Sequence, residues 1–203
     1  MPGVGAAVRP GPAMVARPVS AGLPDFPWDL LRPAKARALV HPDGLVDLSI
    51  GTPVDPVPAV VQSALSAAAD APGYPETAGS PALREALGSY VARRCGADLP
   101  DTGVMPTIGS KELVAWLPTL LGIGPGDTVV IPSVCYPTYE VGARLAGATV
   151  VRSDSLTALG PTPRVRLIWV NSPGNPHGRV LPEAHLAKVI AWARERGAVV
   201  ASD

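Results

Sequence analysis

The chain has 203 residues, 47% of them hydrophobic, and a formal net charge of zero, enough for one sizeable core but no electrostatic footprint for nucleic acid or an anionic membrane. Its apolar runs are broken by Pro118, Gly122 and Gly124 before they reach the roughly 20 residues that span a bilayer, so a soluble chain working on a small molecule is expected. The two cysteines, Cys95 and Cys135, show neither metal spacing nor a disulfide framework, which suits a reducing cytoplasm and assigns them no chemistry.

Residues 1–20 carry basic residues and no acidic one, and Pro10, Pro12 and Pro18 interrupt any signal-peptide core, so a disordered extension is predicted there. A helical pattern follows at 33–40, then the turn His41-Pro42-Asp43-Gly44 and an alternating stretch at 45–50 that reads as a short strand ending at Gly51-Thr52-Pro53. Helices are predicted over 58–70 and 81–95, the second with Leu83, Leu87 and Val91 at helical spacing. Between them lies the loop Gly73-Tyr74-Pro75-Glu76-Thr77-Ala78-Gly79.

A strand is predicted at 104–108, running through Gly109-Ser110-Lys111-Glu112 into a helix over 113–121. A glycine and a hydroxyl at a helix start describe an anion cradle, because the free N–H groups and the positive end of the helix dipole face whatever sits there; the same tetrapeptide also serves as an ordinary N-cap with a charged first turn. The Gly-rich stretch 122–127 precedes a strand, at 128–131, and so is a turn and not a dinucleotide fingerprint. The loop after that strand presents Tyr136, while Tyr139 is expected to pack on the helix that runs to Ala146. A strand at 148–152 and a connector at 153–163 lead to the apolar run 165–170, a buried strand.

That strand opens into Asn171-Ser172-Pro173-Gly174-Asn175-Pro176-His177-Gly178. The prolines fix φ and remove donors, the glycines admit tight geometry, and the asparagines remain as uncharged side chains able to reach a ligand. A helix over 182–196, closed by Gly197, and a strand over 198–202 deliver Asp203 at the strand's carboxyl end. Strands alternating with helices and rich in Val and Ile predict an α/β fold: a three-layer α/β/α arrangement around a mostly parallel sheet.

The octet, read as Asn-x-Pro-x-Asn-Pro-x-Gly after an apolar strand, resembles the signature of fold type I, pyridoxal-phosphate-dependent aminotransferases of class I and II, with His177 where the family usually has Thr. The resemblance covers the chain from about Leu23 to Asp203. It implies pyridoxal 5'-phosphate as cofactor, held at its phosphate by Gly109, Ser110 and Lys111, stacked on by Tyr136, hydrogen-bonded at its phenolic oxygen by Asn175 and at its ring nitrogen by Asp203. It further implies that Gly51 lies against the substrate carboxylate, with Asn175 also at the substrate, and that Tyr74 crosses to the cofactor of a neighbouring subunit in a cytoplasmic homodimer. From the residues alone, Gly51 is equally a plain turn, Tyr74 a surface tyrosine and Asp203 a strand-end cap.

Four phrases, at 23–29, 47–56, 136–143 and 152–156, resemble more closely the bacterial N-succinyldiaminopimelate aminotransferases of lysine biosynthesis, which implies glutamate and 2-oxoglutarate as the partner pair. The resemblance also implies that the Schiff-base lysine lies downstream of Asp203. Lys35, Lys111 and Lys188 do not occupy its place, so no catalytic residue is assigned on this chain, which is expected to hold the cofactor weakly or not at all and not to transaminate by itself. The expected organisation is an extension at 1–20, a segment at 21–50 belonging with a small domain, and at 51–203 the first part of the large domain, incomplete at its C-terminal side. The strand at 104–108 is then expected to be unpaired or separated from the other four. Competing readings are a non-catalytic truncated fragment, a class I and II aminotransferase of other specificity, and a regulator; the last needs a basic helix-turn-helix before the domain, which 1–20 cannot form.

Overall fold

Val and Ile dominate the strands, whose branched side chains pack well on a pleated surface buried on both sides. The computed structural model describes residues 22–97, 99, 103–159 and 164–203; the predicted extension at 1–20 and part of the connector before 164 lie outside the described residues. Four strands, β1 (Thr128–Ile131), β2 (Thr149–Arg152), β3 (Val165–Val170) and β4 (Val199–Ser202), form one sheet in the order β2-β1-β3-β4. All three pairings are parallel. Among the described helices none is long and apolar enough to cross a membrane.

The chain divides into two compact units, Leu30–Leu113 and Val114–Asp203, the latter joined by the described residues before Leu30. Within the unit that holds the sheet, helix α6 (Thr138–Leu145) connects β1 to β2 and helix α7 (Glu183–Arg196) connects β3 to β4. Val114 of helix α5 (Ser110–Leu120), with Tyr139 and Ala143 of α6, packs against Val129, Ile131, Leu167 and Trp169 on one face. On the other face, Val189 and Ala193 of α7 pack against Val130, Ile168 and Val170. The sheet is thus covered on both sides, and the predicted three layers are present.

Strand β3 serves both faces through an irregularity. Thr128 pairs with Val165 and Val129 with Leu167, so Arg166 is an extra residue in the β3 ladder. An inserted residue resets the alternation of side chains. Val165 therefore joins the α7 side while Leu167, two residues on, joins the α5–α6 side.

The approach of α6 to α5 rests on Gly142. A Cβ there would sit 2.8 Å from the Ala115 carbonyl oxygen and 2.9 Å from that of Val114, too close for a real carbon, and both obstacles are backbone. The loop between β1 and α6 is braced separately. Glu140 receives Arg144 on one oxygen at 2.6 Å and Arg152 on the other at 2.5 Å. Arg152 also donates to the Ser133 carbonyl oxygen at 3.4 Å, and the Ser133 N–H donates to Asp154 Oδ1 at 3.0 Å. The turn predicted at 122–127 closes on Asp127, which accepts from the Gly124 N–H at 3.1 Å and pairs with Arg164 at 3.2 Å.

Helix α1 (Pro27–Leu30) comes first in the chain, and the second unit holds helices α2 (Arg32–Ala38), α3 (Ala59–Ala67) and α4 (Pro81–Cys95), none of which has a buried residue. The boundaries of α4 follow the local chemistry: Ser80 Oγ accepts from the Leu83 N–H at 3.2 Å, Pro81 opens the helix, and Gly96 closes it at φ 64°. Residues 45–50 and 104–108, expected as strands, are in no strand. A strand exists only as a partner in a ladder, and neither segment has one here. The expectation that 104–108 would stand apart from the other four strands agrees with this four-stranded sheet.

Two outcomes are expected. Gly142→Ala gains up to about 1 kcal/mol of helix propensity but loses more to overpacking, for a net destabilisation of about 1–2 kcal/mol; urea unfolding that shows the variant equal to or more stable than wild type would disprove the close approach. Glu140→Gln lowers stability at neutral pH by about 1 kcal/mol. Burial works against the Glu140 carboxylate, but hydrogen bonds from Arg144 and Arg152 outweigh it and hold its pKa below the usual glutamate value. Its contribution is present above the unfolded glutamate pKa of about 4.3 and is lost as pH falls through the lower folded value. Unfolding midpoints of the two proteins should therefore converge under acid, and a gap that persists there would remove the ion pairs as its cause.

Candidate functional site

Strand order reverses between β1 and β3: after β1 the chain crosses to β2 on one side, and after β2 it returns to place β3 on the other. Loops leaving the carboxyl ends of β1 and β3 therefore diverge and leave a crevice, the place where open α/β sheets take ligands. Residues 132–137 leave β1 and residues 171–178 leave β3, while Asp203 follows β4 on the same edge. The parallel sheet thus brings Tyr136, Asn175 and Asp203 to one edge.

Asp203 is held at its backbone and at its side chain. Its N–H donates to the Val170 carbonyl at 3.0 Å, extending the β3–β4 ladder by one residue, and its main-chain oxygen accepts from Asn171 Nδ2 at 2.8 Å and from the Ser172 N–H at 3.2 Å. The side-chain Oδ2 accepts from the Tyr139 hydroxyl. Among the described residues Oδ1 has no recorded hydrogen bond, and Asp203 is exposed.

Asn171 joins the two ends of this edge, because its Oδ1 also accepts from the Asn175 N–H at 2.6 Å. The rest of the octet is closed internally. Gly174 donates to the Arg179 carbonyl at 2.8 Å, Gly178 to the Gly174 carbonyl at 2.6 Å, and the Leu181 N–H to Ser172 Oγ at 2.9 Å. The imidazole of His177 lies over Gly174, where a Cβ would meet it at 2.3 Å, and its Nδ1 accepts from the Arg179 N–H at 3.1 Å. His177 is accordingly a turn residue. The side chain of Asn175 is exposed on this edge.

Tyr136 is half-buried, packs on the α5–α6 side of the core and meets the edge of Trp28 with ring centroids 6.0 Å apart. Tyr139 is packed as expected, from within α6, and its hydroxyl has a further partner. The residue is 0% exposed, stacks on Trp169 at 4.8 Å and 28°, and spends its hydroxyl on Asp203. Sequence reading missed it because an aromatic on the buried stripe of a short helix reads as core. The available signal was a hydroxyl on that stripe, since a buried phenol needs a partner. Burial first, and then the hydrogen bond to Asp203, push the Tyr139 pKa well above the usual phenol value, so the proton stays on the tyrosine. Cys135 is half-buried, and that burial raises its thiol pKa against the opposing influence of Arg152, in line with no nucleophilic role.

Gly51, Tyr74, Gly109, Ser110 and Lys111 belong to the other unit. Gly51 and Tyr74 are exposed. Gly109 sits at φ 82°, a conformation that favours glycine, and Ser110 follows as the first residue of α5. The predicted helix start at 113 moves back three residues because the chain turns into the helix at this glycine. A cleft of about 560 Å³ opens at this carboxyl edge on the α7 side, lined in part by Pro132 and Val134 after β1, Asp154 after β2, Asn171 and His177 after β3, and Val189 of α7. Tyr136, Asn175 and Asp203 do not line it.

Residues 43–203 match the family described as aminotransferase class I and II. The chain is 58% identical over 196 residues to "Probable aminotransferase Rv1178" of Mycobacterium tuberculosis, covering 96% of this chain and 47% of that protein. It is 55% identical over 181 residues to the 4-dedimethylamino-4-oxo-anhydrotetracycline transaminase OxyQ of Streptomyces rimosus, covering 89% and 50%, and 32% identical over 198 residues to the LL-diaminopimelate aminotransferase of Oleidesulfovibrio alaskensis, covering 90% and 51%. Among solved structures, an aminotransferase from Mycobacterium tuberculosis matches with a TM-score of 0.80 at 28% identity over 94% of this chain and 52% of that one. A probable N-succinyldiaminopimelate aminotransferase from Thermus thermophilus matches at 0.74 and 29%, over 87% and 51%. The chain spans about half the length of the relatives it matches. On these likenesses it belongs to the class I and II aminotransferases, a family that depends on pyridoxal phosphate.

Proposed function

We propose that this chain supplies the ring-gripping part of a pyridoxal-phosphate-dependent aminotransferase that exchanges an amino group between an amino acid and a 2-oxo acid. The observation that carries the reading is the carboxylate of Asp203, clamped at the carboxyl edge of the sheet with one oxygen held by Tyr139 and the other turned to no described partner. The donor set fits the cofactor: an acid for the ring nitrogen, an aromatic plate in Tyr136, and an amide in Asn175 for the phenolic oxygen. When bound, pyridoxal phosphate supplies a ring that draws off the electron pair left on the substrate α-carbon. Asp203 keeps a proton on the ring nitrogen by its negative charge. Asn175 donates from its side-chain amide, and Tyr136 limits the ring's tilt and shields one face from water.

Gly109, Ser110 and Lys111 are proposed to take the phosphate, Gly51 and Asn175 the substrate, and Tyr74 the cofactor phosphate of a second subunit in a homodimer. The positive φ of Gly109 before the first helical N–H groups supports the first of these, and the full exposure of Tyr74 supports the last. Lys35, Lys111 and Lys188 are not assigned the covalent role. Lys35 is paired with Asp47 at 2.7 Å, and Lys188 lies on α7.

For the substrate, N-succinyl-LL-diaminopimelate with 2-oxoglutarate as acceptor is our first reading. It is supported by the four phrases of sequence likeness and by the relatives named for diaminopimelate compounds. A cyclic ketone of the anhydrotetracycline kind is the second, favoured by the 55% identity to OxyQ.

Nuclear magnetic resonance titration with pyridoxal phosphate is expected to give weak, saturable shifts at Tyr136, Asn175 and Asp203, and Asp203→Ala to weaken binding by about tenfold or more. Shifts confined to the α7-side cleft, or an unchanged affinity in Asp203→Ala, would sink the assignment. Borohydride reduction of the mixture should give no single stoichiometric lysine adduct; one on Lys111, with turnover of glutamate, would show that Lys111 had been wrongly excluded.

A further inference from the structure

The hydroxyl of a fully buried tyrosine has no packing reason to reach an exposed carboxylate. Tyr139 does so across the edge of the sheet, from the second residue of α6 to the residue that follows β4. Its ring cannot swing away. It is 0% exposed and stacked on Trp169 at 4.8 Å, and α6 is itself seated against the α5 backbone by Gly142. The Asp203 main chain is equally fixed, by Val170, Asn171 and Ser172. Its side chain stands in solvent, and among the described residues its only recorded tether is Tyr139.

We infer that Tyr139 is a positioning residue for the proposed cofactor site: its hydroxyl holds Asp203 Oδ2, so that Oδ1 is presented in one fixed direction to an N–H cation at the sheet edge. This deepens the reading given under Proposed function and rests on it. The physics is that of a charge-assisted hydrogen bond made in advance. A free aspartate loses its rotamer freedom when it meets a cation, whereas one already tethered has lost it on folding. Donation to Oδ2 also leaves the proton with the phenol, because burial and the adjacent carboxylate both oppose tyrosinate. The neighbouring Cys135 adds no competing charge, since burial favours its neutral thiol. Tyr139 thus remains the donor of the pair.

The test has two arms, both on the 203-residue protein. Without any ligand, proton resonance spectra should show a downfield, slowly exchanging Tyr139 hydroxyl that is absent in Tyr139→Phe and moves upfield in Asp203→Asn. A hydroxyl signal indifferent to Asp203→Asn overturns the inference, and this arm relies on a surface substitution that leaves the core intact. In the second arm, affinities are measured by resonance titration for pyridoxal phosphate and for its carba analogue, in which carbon replaces the ring nitrogen. Wild type should prefer the nitrogen ring. Tyr139→Phe should reduce that preference by about tenfold, towards the value for Asp203→Asn, while affinity for the carba ring stays unchanged. Equal loss for both rings would mean that Tyr139 only supports the fold, and overturns the positioning role. Failure of wild type to bind either ring overturns the cofactor reading, and the role with it, even where the first arm has shown the Tyr139–Asp203 pair.

Discussion

The parallel ladder between β1 and β3 is the constraint on which the rest depends. These strands are neighbours in the sheet but are separated in the chain by α6 and β2, and the pairing forces the order of strands to reverse at that line. From the reversal follow the placing of α6 and α7 on opposite faces and the divergence of the loops that carry Tyr136 and Asn175. Asp203 arrives at the same edge because β4 continues in parallel with β3. No attraction among the three site residues is needed to gather them; the sheet does it, and side chains such as Asn171 then fix the detail.

Much of this was legible in the sequence, for reasons that differ between segments. The runs at 128–131 and 165–170 are short, apolar and closed by turn formers, and burial on both faces leaves strands no other pattern. The end of α7 was legible from Gly197, which takes φ 64° at the helix terminus. The stretches at 45–50 and 104–108 carry strand-like composition, but composition cannot reveal whether a neighbour is present to complete the ladder. Tyr139 shows a related limit. Its helical spacing with Gly142 and Ala143 correctly marks a buried stripe, yet its hydroxyl meets a partner 64 residues away in the chain, a distance that local periodicity does not see.

Family and substrate are separated by the same logic. The residues proposed to grip a pyridine ring lie on the sheet edge and are written in local motifs, and family membership is shared by relatives from 58% to 32% identical. Those relatives are named for chemically different substrates, a tetracycline precursor in one case and a linear diamino acid in another. The proposed ring-binding edge is compatible with both, because the amino group being moved is common to both.

The reversed strand order also has a consequence for the chain as it is made. β1, α6 and β2 leave the ribosome as one unit, but the edge of β1 that later receives β3 must wait until residues up to Val170 have been synthesised. At roughly 5–20 residues per second that interval lasts a few seconds, during which Val129, Val130 and Ile131 offer an apolar, unpaired strand edge to the surroundings. The nascent chain therefore passes through a window of exposure that the finished sheet no longer shows.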